Sequence, residues 1–261
     1  MAEYLTKPSV DSIKCVILDY DGTLTTFRKG WEFILYPYAK NCIDQNHQPE
    51  NNPDLEKDLQ YFVAHAGGTN PRQLMGRLAD LVEKYTGKSE SIEFYIEDYG
   101  SIFNAEIQSR VNNFKENSES YLISGVRELM DFLKMNKILT YVVTGSCSKA
   151  VSDELVKLEM ADFFQEVFGA DIHTFGNHKY DAIAEIMKRH NLTEKEVLIV
   201  GDGSTEMRAA QDMNLPALGI ASDEHNGGLC EHKRELLIGL GAHAIVADYD
   251  YFEEVWNWFH E

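Results

Sequence analysis

Cys15-Val16-Ile17-Leu18-Asp19-Tyr20-Asp21-Gly22-Thr23 is a run of four apolar residues closed by two acids, a glycine and a hydroxyl. A short apolar run that ends in turn residues is the pattern of a strand buried on both faces. The pattern recurs. Residues 138–143 end in Thr144-Gly145-Ser146, and residues 197–200 end in Gly201-Asp202-Gly203. Residues 167–170, 217–220 and 244–246 are further runs, and helical spacing of apolar residues marks 126–133, 182–187 and 207–213. Strands alternating with helices predict an α/β fold whose parallel sheet is covered on both sides.

The alternation stops after the first strand. Residues 31–45, 55–66, 71–85 and 92–114 read as helices only; in the third, Asn70 is placed to cap, Pro71 takes the first helical position, and Leu74, Leu78, Leu81 and Tyr85 share a face. The predicted organisation is a Rossmann-like, doubly wound core of residues 1–28 and 118–261, with a helical cap domain of 29–117. The connections near 26–30 and 115–122 are the expected hinges. Ligands of such sheets bind beyond the carboxyl ends of the strands.

Composition narrows the chemistry. With 261 residues, 44% of them hydrophobic, the chain can bury a full core, and a formal charge of −19 repels polyanions. Nucleic acid and anionic membranes are therefore poor partners. No apolar run reaches the length of a membrane span, and the polar amino-terminal stretch does not resemble a secretion signal, so a cytoplasmic protein is expected. Cys15, Cys42, Cys147 and Cys230 lack the spacing of a zinc site or a disulfide framework and are expected to be reduced. Nothing in the sequence sets an oligomeric state.

Asp19 and Asp21 are two apart at a strand end and project to one side. One acid can serve as nucleophile or metal ligand while the other moves protons; the plain alternative is an Asp-Gly turn. Asp202 and Glu206 follow another strand, and with Asp19 they form a hard-oxygen set suited to Mg²⁺, although Gly201 and Gly203 also suit a turn with Ser204 capping the next helix. Thr144 and Gly145 offer a hydroxyl and backbone N–H groups to an anion. Lys179, opening a helix, can neutralise a phosphoryl group.

This ordered set, Asp19-x-Asp21-Gly22-Thr23, Thr144, Lys179 and Gly201-Asp202-x-x-x-Glu206, resembles the haloacid dehalogenase-like hydrolase superfamily, in the branch with a helical cap inserted after the first motif. The resemblance implies that Asp19 attacks phosphorus and that Asp21 protonates the leaving oxygen and then activates water. It implies that Thr144, Gly145 and Lys179 hold the phosphoryl oxygens. Asp19, Asp202, Glu206 and, through its main-chain carbonyl, Asp21 would organise Mg²⁺. Asp21 also disfavours carbon–halogen cleavage, because members with that activity generally lack this acid.

A phosphatase acting on a small phosphorylated metabolite, of sugar or polyol phosphate type, is the leading expectation. The alternatives are a phosphomutase of the β-phosphoglucomutase type, a phosphonate hydrolase and a non-catalytic binding protein. Substrate choice is expected in the cap, where residues 65–72 combine glycines and polar side chains; Thr69 and Arg72 are the candidate contacts, with the alternative of a polar interhelical turn. Residues 28–32 are a further candidate segment, and the glycine-rich loop 222–228 is a candidate pocket rim.

Overall fold

Strand β2 (Cys15–Leu18) is buried at all four residues and lies in the interior of a seven-stranded sheet of order β1-β7-β6-β5-β2-β3-β4. The other strands are β1 (Ala2–Tyr4), β3 (Leu139–Thr144), β4 (Val167–Gly169), β5 (Val197–Gly201), β6 (Ala217–Ile220) and β7 (Ala244–Val246). The computed structural model describes residues 2–44, 53–67, 69–113, 118–170 and 178–261. Two compact units are distinguished: Met1–Lys29, Phe114–Ala170 and Phe175–Glu261 form one, and the other is chiefly Gly30–Asn113.

In the first unit β2 pairs in parallel with both β3 and β5, with Leu18 opposite Val142 and Val200. That register brings Asp19 level with the ends of both neighbours. Cys15 and Ile17 belong to the core cluster that includes Ile183 and Ile186 of α7 (His178–His190) and Met207 and Ala210 of α8 (Ser204–Asp212). Val16 and Leu18, equally buried, alternate to the opposite face. Burial pushes the Cys15 thiol up to about 12, so this sulfur is inert packing.

The sheet is mostly parallel, as expected, with one antiparallel strand at its edge. β1 pairs antiparallel with β7, Ala2 opposite Val246 and Tyr4 opposite Ala244. Its three residues carry no apolar run because backbone hydrogen bonds and the bidentate Glu3–Arg234 ion pair (2.6 and 2.8 Å) hold it. Four more helices complete the unit: α5 (Val126–Met135), α6 (Ser148–Lys157), α9 (Glu231–Gly239) and α10 (Phe252–His260).

The second unit contains helices α1 (Glu32–Asp44), α2 (Pro53–Ala64), α3 (Pro71–Thr86) and α4 (Ile92–Asn113). Gln45, Gly68 and residues 114–117, read above as helix, turn or hinge, lie outside the described residues. Asn70 caps α3 as expected, its Oδ1 accepting from the Gln73 N–H at 2.9 Å, and Pro71 begins the helix. The buried stripe of α3 runs through Met75, Leu78, Ala79 and Val82, while Leu74, Leu81 and Tyr85 are half-buried at its flank. The stripe is thus turned from the expected face, because Leu35, Leu59 and Phe62 of α1 and α2 enclose it together with Tyr95 of α4. Among the described residues no helix is long and apolar enough to cross a membrane.

Candidate active site

Asp19 follows the last residue of β2, and its N–H bonds the Val200 carbonyl at 2.9 Å. Its carboxylate is 8% exposed, and Lys179, 2% exposed, donates to it at 2.7 Å. The same ammonium donates to Glu206 at 2.8 Å. Lys179 is the second residue of α7 and Glu206 the third of α8, so two helix starts deliver a cation and an acid to the end of β2.

Glu206 is fixed further by the Gly203 N–H (2.6 Å) and the Thr205 hydroxyl (2.7 Å). The N-cap of α8 is Gly203, not Ser204, and Glu206 reaches back to satisfy that N–H. Two glycines allow the crowding: a Cβ on Gly201 would lie 2.2 Å from Glu206 Cγ, and one on Gly22, at φ +73°, would lie 2.1 Å from Asp202 Oδ2. Ligand atoms of Asp19, Asp202 and Glu206 all fall within 4.8 Å of one another.

The electrostatics of this group are lopsided. Burial pushes Asp19 well above the usual carboxylate range against the opposing pull of Lys179. Burial likewise raises Asp202, to about 6, against the pull of Lys233. Burial works against Glu206 too, but there Lys179 and the hydrogen bonds prevail and hold it near 2. Three clustered carboxylates share Lys179 and Lys233, and two of them are costly to ionise. A divalent cation bound by oxygen would relieve that cost, so the residues present fit Mg²⁺.

Asp21 is engaged differently from Asp19. Its Oδ1 accepts from Arg28 at 2.9 Å and its Oδ2 from the Ser146 hydroxyl at 2.7 Å. Its carboxylate is outside the three-acid group. Arg28 is clasped by Glu154 of α6 at 2.9 and 2.8 Å, and Glu154 is almost fully buried. Thr144 is buried at the end of β3 with its Oγ1 accepting from the Ser146 N–H at 3.1 Å; Gly145 is half-buried beside it, just before α6 begins.

Each of the three cations at these strand ends therefore bridges two carboxylates: Lys179 with Asp19 and Glu206, Arg28 with Asp21 and Glu154, and Lys233 with Asp202 (2.6 Å) and Glu224 (2.7 Å). Sequence reasoning missed Ser146, Glu154 and Lys233. Arg28 and Glu224 fell in segments singled out as candidates, with no role attached. Lys233 carries no local signal, standing mid-chain in the polar run that begins α9. In the helical unit, Thr69 donates to the His65 carbonyl at 3.5 Å and Arg72 pairs with Glu93 at 2.7 Å.

The chain is similar to several known proteins. Phosphoglycolate phosphatase of Vibrio cholerae is 30% identical over 110 residues, which is 41% of this chain and 48% of that protein; the chain thus spans about half the length of the curated relatives it matches first. A longer match, to phosphoglycolate phosphatase of Vibrio parahaemolyticus, is 26% identical over 82% of this chain and 86% of the other. Among solved structures, a predicted phosphoglycolate phosphatase from Haemophilus somnus superposes with a TM-score of 0.63 at 18% identity, covering 93% of this chain and 97% of that one. The Bacillus subtilis hydrolase YfnB, solved bound to magnesium, gives 0.56 at 14%, covering 95% and 100%. The model of haloacid dehalogenase-like hydrolases matches residues 13–214, a span that runs from the start of β2 past α8 and takes in Asp19, Asp21, Thr144, Lys179, Asp202 and Glu206. The chain belongs to the haloacid dehalogenase-like hydrolase family.

Proposed function

We propose that the chain is a Mg²⁺-dependent phosphatase that hydrolyses a small phosphorylated metabolite, of sugar or polyol phosphate type, through an aspartyl-phosphate on Asp19. The observation that carries this reading is the division of labour between two acids at one strand end. Asp19 is buried against Lys179, and Asp21, two residues on, is held by Arg28 and Ser146.

In the first half-reaction Asp19 attacks phosphorus, the bond to the leaving oxygen breaks, and Asp21 gives that oxygen its proton. In the second, water attacks the aspartyl-phosphate, Asp21 takes the proton, and phosphate leaves with the Asp19 carboxylate restored. Thr144, the Gly145 N–H and Lys179 hold the phosphoryl oxygens through both halves. Asp19, Asp202, Glu206 and the main-chain carbonyl of Asp21 would hold Mg²⁺, whose charge offsets the repulsion between these acids and an incoming anion.

In this reading residues 1–28 and 118–261 form the catalytic core, residues 29–117 form its cap, and Thr69 and Arg72 select substrate. The protein acts in the cytoplasm, which suits four cysteines that form no disulfide. The test is phosphate release from a broad panel of phosphorylated metabolites with Mg²⁺ supplied. Release that stops on chelation is the expected result; no release from any compound at high protein concentration contradicts the reading.

A further inference from the structure

Of the three acids grouped for a cation, Lys179 holds Asp19 and Glu206, and a different helix holds the third. Lys233, the third residue of α9, donates to Asp202 Oδ2 at 2.6 Å and to Glu224 Oε1 at 2.7 Å. All three side chains are largely buried, with 15 to 21% of their surface exposed. Asp202 lies between the end of β5 and the start of α8; Glu224 lies on the loop after β6, and Lys233 beyond that loop. Three separate segments thus meet around one ammonium.

We propose that Lys233 and Glu224 form a positioning pair that holds Asp202 in its metal-binding orientation. A carboxylate has two oxygens and several lone pairs. An ammonium on Oδ2 fixes the plane of the group and leaves acceptor capacity for an ion. Groups bonded behind a metal ligand in this way commonly change metal affinity 10- to 100-fold when removed.

Glu224 answers the obvious objection, that a lysine beside a cation site repels the cation. Its charge cancels that of Lys233, so Asp202 keeps a full negative charge for the ion. Glu224 also accepts from the same ammonium at 2.7 Å and so helps to hold it beside Asp202. Gly22 leaves room for this packing, since a Cβ there would lie 2.1 Å from Asp202 Oδ2 and 3.0 Å from Glu224 Oε1.

The inference rests on the proposed metal site, and the experiment separates the two. Binding of Mn²⁺ to substrate-free protein is measured calorimetrically for the wild type, for Asp202→Asn, and for the double variant Lys233→Met with Glu224→Gln. The double variant removes one positive and one negative charge, so the local net charge is unchanged and orientation alone is probed. The expected result is a dissociation constant raised about tenfold or more, with the thermal midpoint in metal-free buffer unchanged, and substantial recovery in Lys233→Arg. A dissociation constant within twofold of wild type, or a tighter one, overturns the proposal while leaving the metal site standing. A wild type that binds no Mn²⁺, or an Asp202→Asn variant that binds it equally well, overturns the metal site itself. Should the double variant not fold, Glu224→Gln alone carries the test: it leaves the ammonium uncompensated beside Asp202, so weaker Mn²⁺ binding is expected and unchanged binding overturns the proposal.

Discussion

The ion pairs at the strand ends of the α/β unit and those of the helical unit are built from the same residue types and differ in surroundings. Lys179, Arg28 and Lys233 are buried or nearly so, and each is shared between two acids. Lys84 with Asp58, and Arg72 with Glu93, are exposed pairs on the four-helix unit. Water screens the exposed pairs, so they add little to stability. Removing charges from water is expensive, and a buried pair is weak as a stabilising device. Six carboxylates gathered around three cations at strand ends are therefore explained by chemistry, whereas the helical unit is held by its apolar stripes, Leu35, Leu59 and Leu78 among them.

The contrast can be broken in order of effect. Asp19→Asn should cut turnover on the order of 10⁶-fold, the scale on which loss of a nucleophile acts, while circular dichroism and the melting profile stay those of a folded protein. Glu154→Ala leaves the Arg28 guanidinium with Asp21 as its remaining acid, and chemical denaturation should show a loss of about 3–5 kcal/mol. Leu78→Ala, at a fully buried position of α3, should lose about 2–5 kcal/mol through the cavity it leaves. Activity per folded molecule should survive that change better than it survives Glu154→Ala.

Smaller effects sharpen the comparison. The half-buried His243 accepts the Ala217 N–H through Nδ1 at 3.1 Å, and burial lowers its pKa. The sign follows from linkage: the folded state disfavours the imidazolium, so stability is present above the ordinary imidazole range, about 6.5, and is lost as pH falls below it. Denaturant midpoints measured from pH 7.5 to 5 (about one unit either side of that range) should fall more for the wild type than for His243→Gln. Glu93→Gln, which removes one ion-pair partner of Arg72 at an exposed site, should leave the melting midpoint unchanged within error.

The residues differ in how openly the sequence displayed them. Asp19, Asp21, Asp202 and Glu206 are legible because they stand just after apolar runs that read as buried strands, and the ends of such strands form the ligand edge of the sheet. The cap of α3 was legible from Asn70-Pro71 alone. Lys179 gained meaning from the company of the other motifs, since a lysine at a helix start is ordinary by itself. Lys233, Glu154 and Ser146 could not be read in advance, because their roles arise from contacts 31, 126 and 125 residues distant in sequence. β1 was hidden for a related reason: Ala-Glu-Tyr is held by pairing with β7 and by the Glu3–Arg234 ion pair, neither of which leaves a local pattern.

In the proposed reaction Asp19 is the nucleophile, and its carboxylate oxygen attacks phosphorus. Acid-quenching the protein with a small phosphorylated donor and Mg²⁺, followed by peptide mass spectrometry, tests it most directly. A single added phosphoryl group is expected on the peptide that contains Asp19, absent from Asp19→Asn and absent without the metal. A phosphoryl group on another residue, or steady phosphate release from the Asp19→Asn variant, would contradict it.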